Sequence, residues 1–254
     1  MCLITFQWQP SADNKLILSA NRDEFLHRPA LELHPWEDAD GVYAGKDLSL
    51  GGTWLGVHKN GRFAALTNHR DMSHKGPKNP ISRGNLVLNF LTSDISALEY
   101  LATLEDQAHL YAGYNLIVAD QDQLAYYSNR SGQPAKLLQS GLYGLSNGLL
   151  DSPWPKVESA TQSLANWLDT PEDKQPPLAG LLSATEIAAD DLLPSTGIGI
   201  DMERVLSCQK IITPNYGTRC STGLVWSPDQ IKISEVSWLA DGSEKSRKDH
   251  VINI

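Results

Sequence analysis

Met1-Cys2-Leu3-Ile4-Thr5-Phe6 opens the chain as a strand, with apolar residues running up to its first positions. Chain ends ordinarily fray, so an apolar strand at the terminus implies an end built into a sheet. Removal of Met1 would leave a thiol and a free α-amino group on Cys2. An α-amino group titrates at about 7.7–8.0 and a thiol at about 8.5, so near neutral pH the amine can accept the thiol proton. One residue then supplies nucleophile and base, and the chemistry fits cleavage of an amide or ester through an acyl-enzyme. The plainer reading of Cys2 is a small buried hydrophobe. The remaining sequence has to decide between them.

Outward from this segment, strand signals continue at Leu3 to Trp8, Lys15 to Ala20, Thr53 to His58 and Arg62 to Thr67. Lys59-Asn60-Gly61 joins the last two as a hairpin turn, because Asn-Gly takes positive φ at little cost. Ser82 is placed to cap a helix through Leu86, Leu88, Asn89 and Phe90. A second helix near Ser93 or Asp94 puts Ile95, Leu98, Leu101 and Ala102 on one face. Strands return at Tyr114 to Ala119, Gln123 to Ser128, Ala135 to Leu138 and Leu142 to Leu145, with Asp120-Gln121-Asp122 as a turn. Pro155 opens a helix carrying Val157, Ala160, Leu164, Trp167 and Leu168. A Pro-rich connection from Asp169 to Pro177 precedes another expected helix through Leu178 to Leu182. Asp190 to Glu203 reads as a loop and a candidate lid. Strands at Lys210 to Thr213, Thr218 to Trp226 and Ile231 to Leu239 precede an exposed charged end, Asp241 to Asp249. Two antiparallel blocks with helices between and after them predict an α+β fold, a sandwich of two sheets face to face with helices outside.

With 254 residues and 41% hydrophobic content, the chain can bury a substantial core, and residues 1–254 are expected to form one domain. The formal charge of −9 opposes nucleic acid and anionic membranes as partners. No stretch approaches the ~20 apolar residues of an integral membrane segment, and no secretory leader is evident, so a soluble cytoplasmic protein is expected. Cys2, Cys208 and Cys220 leave an odd thiol without zinc-ligand spacing, so neither disulfides nor a structural metal are expected.

Ala20-Asn21-Arg22-Asp23-Glu24-Phe25 follows a clear strand and concentrates polar groups where that strand is read to end. A carboxylate of Asp23 or Glu24 could orient the Cys2 amine, and Arg22 could stabilise a thiolate or bind an acidic ligand. Gly51-Gly52-Thr53-Trp54-Leu55-Gly56 leads to Leu66-Thr67-Asn68-His69-Arg70, where Asn68 at a strand end could donate to an oxyanion. Gly144-Leu145-Ser146-Asn147 repeats the strand-then-Asn arrangement, and Arg219 opens a late strand.

Together with Cys2 these ordered segments, and the Pro-Trp-Pro-Lys element ending at Lys156, resemble the NRDE family, also called the Transport and Golgi organization family. The resemblance implies the αββα fold of N-terminal-nucleophile hydrolases. Within that fold the order Cys2, Asn68, Asn147, Arg219 is similar to the choloylglycine hydrolase and penicillin V acylase group. There Cys2 would be nucleophile and base, the two Asn side chains oxyanion donors, and Arg219 a support for the nucleophile. The pattern departs from that group after the second strand. Its Arg-x-x-Asp falls on Asn21 and Glu24, leaving no guanidinium in register unless Arg22 substitutes.

The NRDE resemblance also implies intracellular haem trafficking, and lipid or acyl-CoA metabolism. On that basis the expected function is a cytoplasmic haem-binding chaperone. Arg22, Arg70 or Arg219 would pair with propionates, Trp54 would form an apolar wall beside Asn21, and His58 and His69 would be the candidate iron ligands. No Cys-x-x-Cys-His occurs, so the haem would be non-covalent. The expected partners are haem or another small apolar acid, with haem donor and acceptor proteins. The alternative is a Cys2-dependent amidohydrolase or acyltransferase acting on a small amide, ester or acyl-thioester. A third reading, a trafficking adaptor, would need an exposed apolar patch.

Overall fold

The computed structural model describes residues 2–254, so the Met1 end of the opening strand lies outside the described residues. In chain order the strands are β1 (Cys2–Trp8), β2 (Leu16–Phe25), β3 (Ala30–Pro35), β4 (Val42–Asp47), β5 (Leu55–His58) and β6 (Arg62–Asn68). They continue as β7 (Tyr114–Ala119), β8 (Leu124–Ser128), β9 (Lys136–Leu137), β10 (Gly141–Leu145), β11 (Tyr216–Ser227), β12 (Gln230–Trp238) and β13 (Glu244–Asn253). The helices are α1 (Gly84–Leu91), α2 (Ala97–Glu105), α3 (Pro155–Asp169) and α4 (Ile200–Val205).

The first sheet has the order β10-β1-β2-β11-β12-β13 and the second β3-β4-β5-β6-β7-β8-β9. The strand pairs within both are antiparallel. Ile4, Phe6 and Trp8 of β1 meet Leu55, Val57, Phe63 and Ile117 in a core between the sheets. Leu3 points the other way and packs with Val157 and Ala160 of α3. Both faces of β1 are therefore covered, which is why its sequence is almost continuously apolar. On the far side of the second sheet, Leu86, Val87 and Phe90 of α1 and Tyr100, Leu101 and Leu104 of α2 complete a further core. The layers are αββα.

Several boundaries differ from the sequence reading. β3 and β4 were not expected; their half-polar pattern reflects places at the edge of the sheet and beside it. Residues 178–182 form no helix, because the Leu178 carbonyl accepts from Ser19 Oγ at 2.8 Å and the Leu182 carbonyl accepts from Asn21 Nδ2 at 2.8 Å. Tertiary bonds take acceptors a helix would need. Ser82 caps nothing; Arg83 occupies the α1 N-cap position. α2 starts later than expected, behind a capping box of Ser96 and Glu99, and Ile95 is left exposed. Within the expected loop 190–203, α4 begins at Ile200. The charged end is the edge strand β13, where lysines and an arginine discourage pairing with other chains.

Candidate active site

The polar motif does not follow β2; it is part of it. Cys2 of β1 lies directly opposite Arg22 of β2, in a register running from Cys2↔Arg22 to Trp8↔Leu16. Directly opposed residues share a face, and alternation then puts Glu24 on that face and Asn21 and Asp23 on the other. Arg22 therefore stands straight across from Cys2, where the Arg-x-x-Asp comparison left no guanidinium in register. Its guanidinium carbon lies 4.1 Å from the ring centre of Trp54, and Nη2 is 3.5 Å from Asp47 Oδ2.

Asn21 is turned away from this face. Its Nδ2 donates to the carbonyls of Leu182 (2.8 Å) and Gln209 (2.9 Å), and its Oδ1 accepts from Ser221 Oγ (2.6 Å). Those bonds consume its polar capacity, so it is a tie between β2 and the outer layer rather than a ligand group. Asp23, on the same face, accepts from Thr218 Oγ1 at 2.7 Å. Burial pushes its carboxyl up, and the nearby Lys156 ammonium pulls it back.

Lys156 stands in the first turn of α3, 3% exposed, and its Nζ finds no hydrogen-bond acceptor among the described residues. Burial lowers it to about 8, against the pull of Asp23; Arg70 lowers it further, while Cys2 and Cys208 oppose. A lysine whose folded pKa is depressed binds fewer protons folded than unfolded, so its contribution to stability rises with pH from about 8 to the unfolded value near 10.5. Lys156→Met removes that cost of burial. Its advantage over the parent chain should therefore shrink, by on the order of 3 kcal/mol, as urea denaturation is repeated from about pH 8 to 10.5. A difference constant with pH would refute the buried ammonium.

Cys2, Arg22, Glu24, Trp54, Asn68 and Arg83 line a pocket of about 150 Å³. The half-buried Cys2 thiol is pushed up by burial, with Asp23 and Glu24 raising it and Arg22 lowering it. One wall is the Gly51-Gly52 turn, with φ of 70° and 74°. A Cβ on Gly52 would lie 2.4 Å from the Gly84 carbonyl carbon, so glycine lets this turn close against the start of α1.

Asn68 ends β6, and its side chain makes no hydrogen bond among the described residues. Its position is fixed through the backbone. Asn147 Nδ2 donates to the Asn68 carbonyl at 2.7 Å, Thr67 Oγ1 to the Ser146 carbonyl at 2.6 Å, and Ser146 Oγ to the Cys2 carbonyl at 3.0 Å. These bonds tie the ends of β1, β6 and the segment after β10 into one corner.

Other expected site residues are not brought to the pocket lining. Asn147 is fully buried and serves the tie just described. Arg219 sits at a bulge of β11, and its Nη1 donates to the carbonyls of Phe25 (3.0 Å) and Arg28 (2.9 Å), fastening the turn after β2. Arg70 pairs with Glu203 at 2.7 Å in a buried site. His58 has both ring nitrogens engaged, Nε2 with the Asp40 carbonyl and Nδ1 with the Asn60 amide. His69 lies beside Gly113 and Arg130, and burial lowers its pKa. Neither histidine lines the Cys2 pocket.

Three charged lining residues escaped the sequence reading: Arg28, Asp47 and Arg83. Arg28 and Asp47 come from the turn before β3 and from the unexpected β4, respectively, and Arg83 stands next to a serine read as a cap. Lys156 was visible as the end of the Pro-Trp-Pro-Lys element, but its burial was not.

The family model for Transport and Golgi organisation 2 matches residues 1–239. The Bos taurus Transport and Golgi organization protein 2 homolog is 37% identical over 271 residues, covering 97% of this chain and 96% of that protein. The Homo sapiens homolog is 35% identical over 254 residues, covering 90% of each. Among solved structures, the Caenorhabditis elegans N-acylethanolamine-hydrolyzing acid amidase ortholog superposes with a TM-score of 0.51 at 11% identity, covering 88% of this chain and 92% of that one. The chain belongs to the Transport and Golgi organisation 2 family and has the fold of N-terminal-nucleophile hydrolases.

Proposed function

We propose that this family member is a Cys2-dependent N-terminal-nucleophile hydrolase or acyltransferase acting on a small amide, ester or acyl-thioester. The observation that carries the reading is the pairing of Cys2 with Arg22 across two strands, in a pocket that Asn68 also lines. With its pKa raised, the thiol is protonated at neutral pH and needs a base. Once Met1 is removed, the Cys2 amine takes the thiol proton as Sγ bonds to the substrate carbonyl carbon. In this reading Asn68 Nδ2 donates to the resulting oxyanion. The bond from that carbon to nitrogen, oxygen or sulfur breaks, the leaving group takes the proton from the ammonium, and an acyl-thioester on Cys2 remains. Water or a second acceptor then takes the acyl group.

Haem as cargo has the pocket arginines in its favour. Against it, the pocket lining holds no histidine, and about 150 Å³ is well below the about 300–1,000 Å³ of pockets that bury drug-sized ligands. The three free cysteines agree with a reducing compartment, and the cytoplasmic setting belongs to the same proposal. Among the described residues no helix is long and apolar enough to cross a membrane.

The test is intact mass spectrometry of untagged protein, with Met1 removal read directly, before and after incubation with a p-nitrophenyl acyl ester. The expected result is a single acyl adduct mapped to Cys2 and released by hydroxylamine. A processed chain that forms no adduct, together with a saturable Soret shift on adding haem, would reverse the order of the two readings.

A further inference from the structure

Three arginines line the Cys2 pocket, and they are not equivalent. Arg28 is bidentate on Asp47, with Nε 2.6 Å from Oδ2 and Nη2 3.2 Å from Oδ1, and Glu24 lies 3.9 Å from its Nε. Arg22 shares Asp47 at 3.5 Å and stacks on Trp54. Arg83 has no carboxylate within ion-pair distance among the described residues. The one hydrogen bond of its side chain among the described residues runs from Nη1 to the Gly113 carbonyl at 2.8 Å, leaving the rest of the five-donor fork unspent.

The carboxylates around the pocket are already committed. Asp47 also accepts from the amides of Ser49 and Leu50, both at 3.0 Å. Glu24 Oε1 accepts from the Phe25 amide at 2.9 Å, and Asp23, which also lines the pocket, accepts from Thr218 Oγ1 and lies near the Lys156 ammonium. Burial lowers the pKa of Arg83; the nearby Cys2 and Glu24 offset this only in part, as for a partly desolvated guanidinium with no anion in direct contact. A cation left in this state beside a nucleophile is a recognition element awaiting its counter-ion.

We propose that Arg83 is the anchor of an anion subsite in the Cys2 pocket, so that the substrate bears a carboxylate or comparable oxyanionic group a short distance from its scissile carbonyl. The substrate class rests on the hydrolase reading; the subsite does not. The small pocket volume restricts the portion held between thiol and anchor to a few heavy atoms. Arg83 is a positioning and specificity residue, fixing the acid group so that the carbonyl faces Sγ.

The probe is a pair of alkylating agents of nearly the same size, iodoacetate and iodoacetamide. In either case the Cys2 sulfur bonds to the methylene carbon and iodide leaves; only the first reagent carries a carboxylate. The rate of Cys2 modification is followed by peptide mass spectrometry, and the iodoacetate-to-iodoacetamide ratio is referred to that of glutathione. The parent chain should exceed glutathione's ratio by about tenfold, as one charge-assisted contact would give. Arg83→Gln should return the ratio to glutathione's, Arg83→Lys should restore most of it, and Arg28→Gln should change it less. General loosening of the pocket would alter both rates and leave the ratio alone. A second readout needs no alkylation: the Arg83 Nε–Hε NMR signal should shift saturably with sodium acetate and not with sodium chloride. Equal ratios for parent and Arg83→Gln, or an Arg83 signal indifferent to acetate, would overturn the subsite. Absence of an acyl adduct on Cys2 would remove the hydrolase reading and leave these results untouched, so the two fail separately.

Discussion

Cys2→Ala is expected to abolish the hydroxylamine-sensitive adduct and to lower ester hydrolysis by on the order of 10⁶-fold, a loss typical of removing a nucleophile that acts as a unit with its base. The fold should survive the change. Cys2 is half-buried at the start of β1, whose anchoring is carried by Leu3, Ile4, Phe6 and Trp8, and the bond from Ser146 Oγ goes to the Cys2 backbone carbonyl rather than the side chain. Cys2→Ser keeps a nucleophile of similar size but one that is far harder to deprotonate, so it should retain the pocket and form adduct slowly. The measurement is adduct mass against time for the three chains, with circular dichroism to confirm the fold. An adduct that persists in Cys2→Ala, at Cys208 or Cys220, would assign the chemistry to the wrong thiol and sink the proposed function.

The outline of the fold was legible because apolar strands announce themselves. β1, β5 to β8, β10 and the core of β11 and β12 carry runs whose period and turn residues identify them, and Asn60-Gly61 closes the β5–β6 hairpin where expected. What was not legible was the reach of β2. Ala20 to Phe25 is polar enough to look like a turn, yet it continues as strand because β1 pairs with it as far as Arg22 and β11 as far as Phe25. That difference decides the site. In a turn, Arg22 and Asn21 would have equal claims on Cys2; in a strand, alternation sends one to the thiol and the other to the helical layer. The same limit hid Arg70 and Arg219, whose charges pointed to a ligand but are spent inside the protein on Glu203 and on backbone carbonyls. Charge is visible in a sequence, whereas its partner is a tertiary fact.

Glu203→Ala should lower the free energy of unfolding by about 3–5 kcal/mol, the range for stripping one member from a buried ion pair. Glu203 and Arg70 are 4% and 6% exposed and 2.7 Å apart, and Glu203 Oε1 also accepts from the Thr196 amide at 2.9 Å and from the Thr196 hydroxyl at 2.5 Å. Removing the carboxylate leaves the guanidinium charge buried without the counter-charge that offsets its desolvation, and frees the segment before α4. Replacing both residues together, as Arg70→Met with Glu203→Leu, removes the charge as well as its partner and should cost markedly less. Urea denaturation of the single and double variants measures the difference, and equal losses in both would show that shape rather than charge holds this corner. The consequence extends to Cys2 through the backbone, since the Arg70 amide donates to the Asn147 carbonyl at 2.7 Å and Asn147 in turn holds the Asn68 carbonyl. Asn68 is the oxyanion donor of the proposed reaction. The Glu203 single variant should therefore lose acylation rate under conditions where it is still folded, and the double variant should recover it. A pair that mattered to stability alone would leave the rate of the folded fraction unchanged.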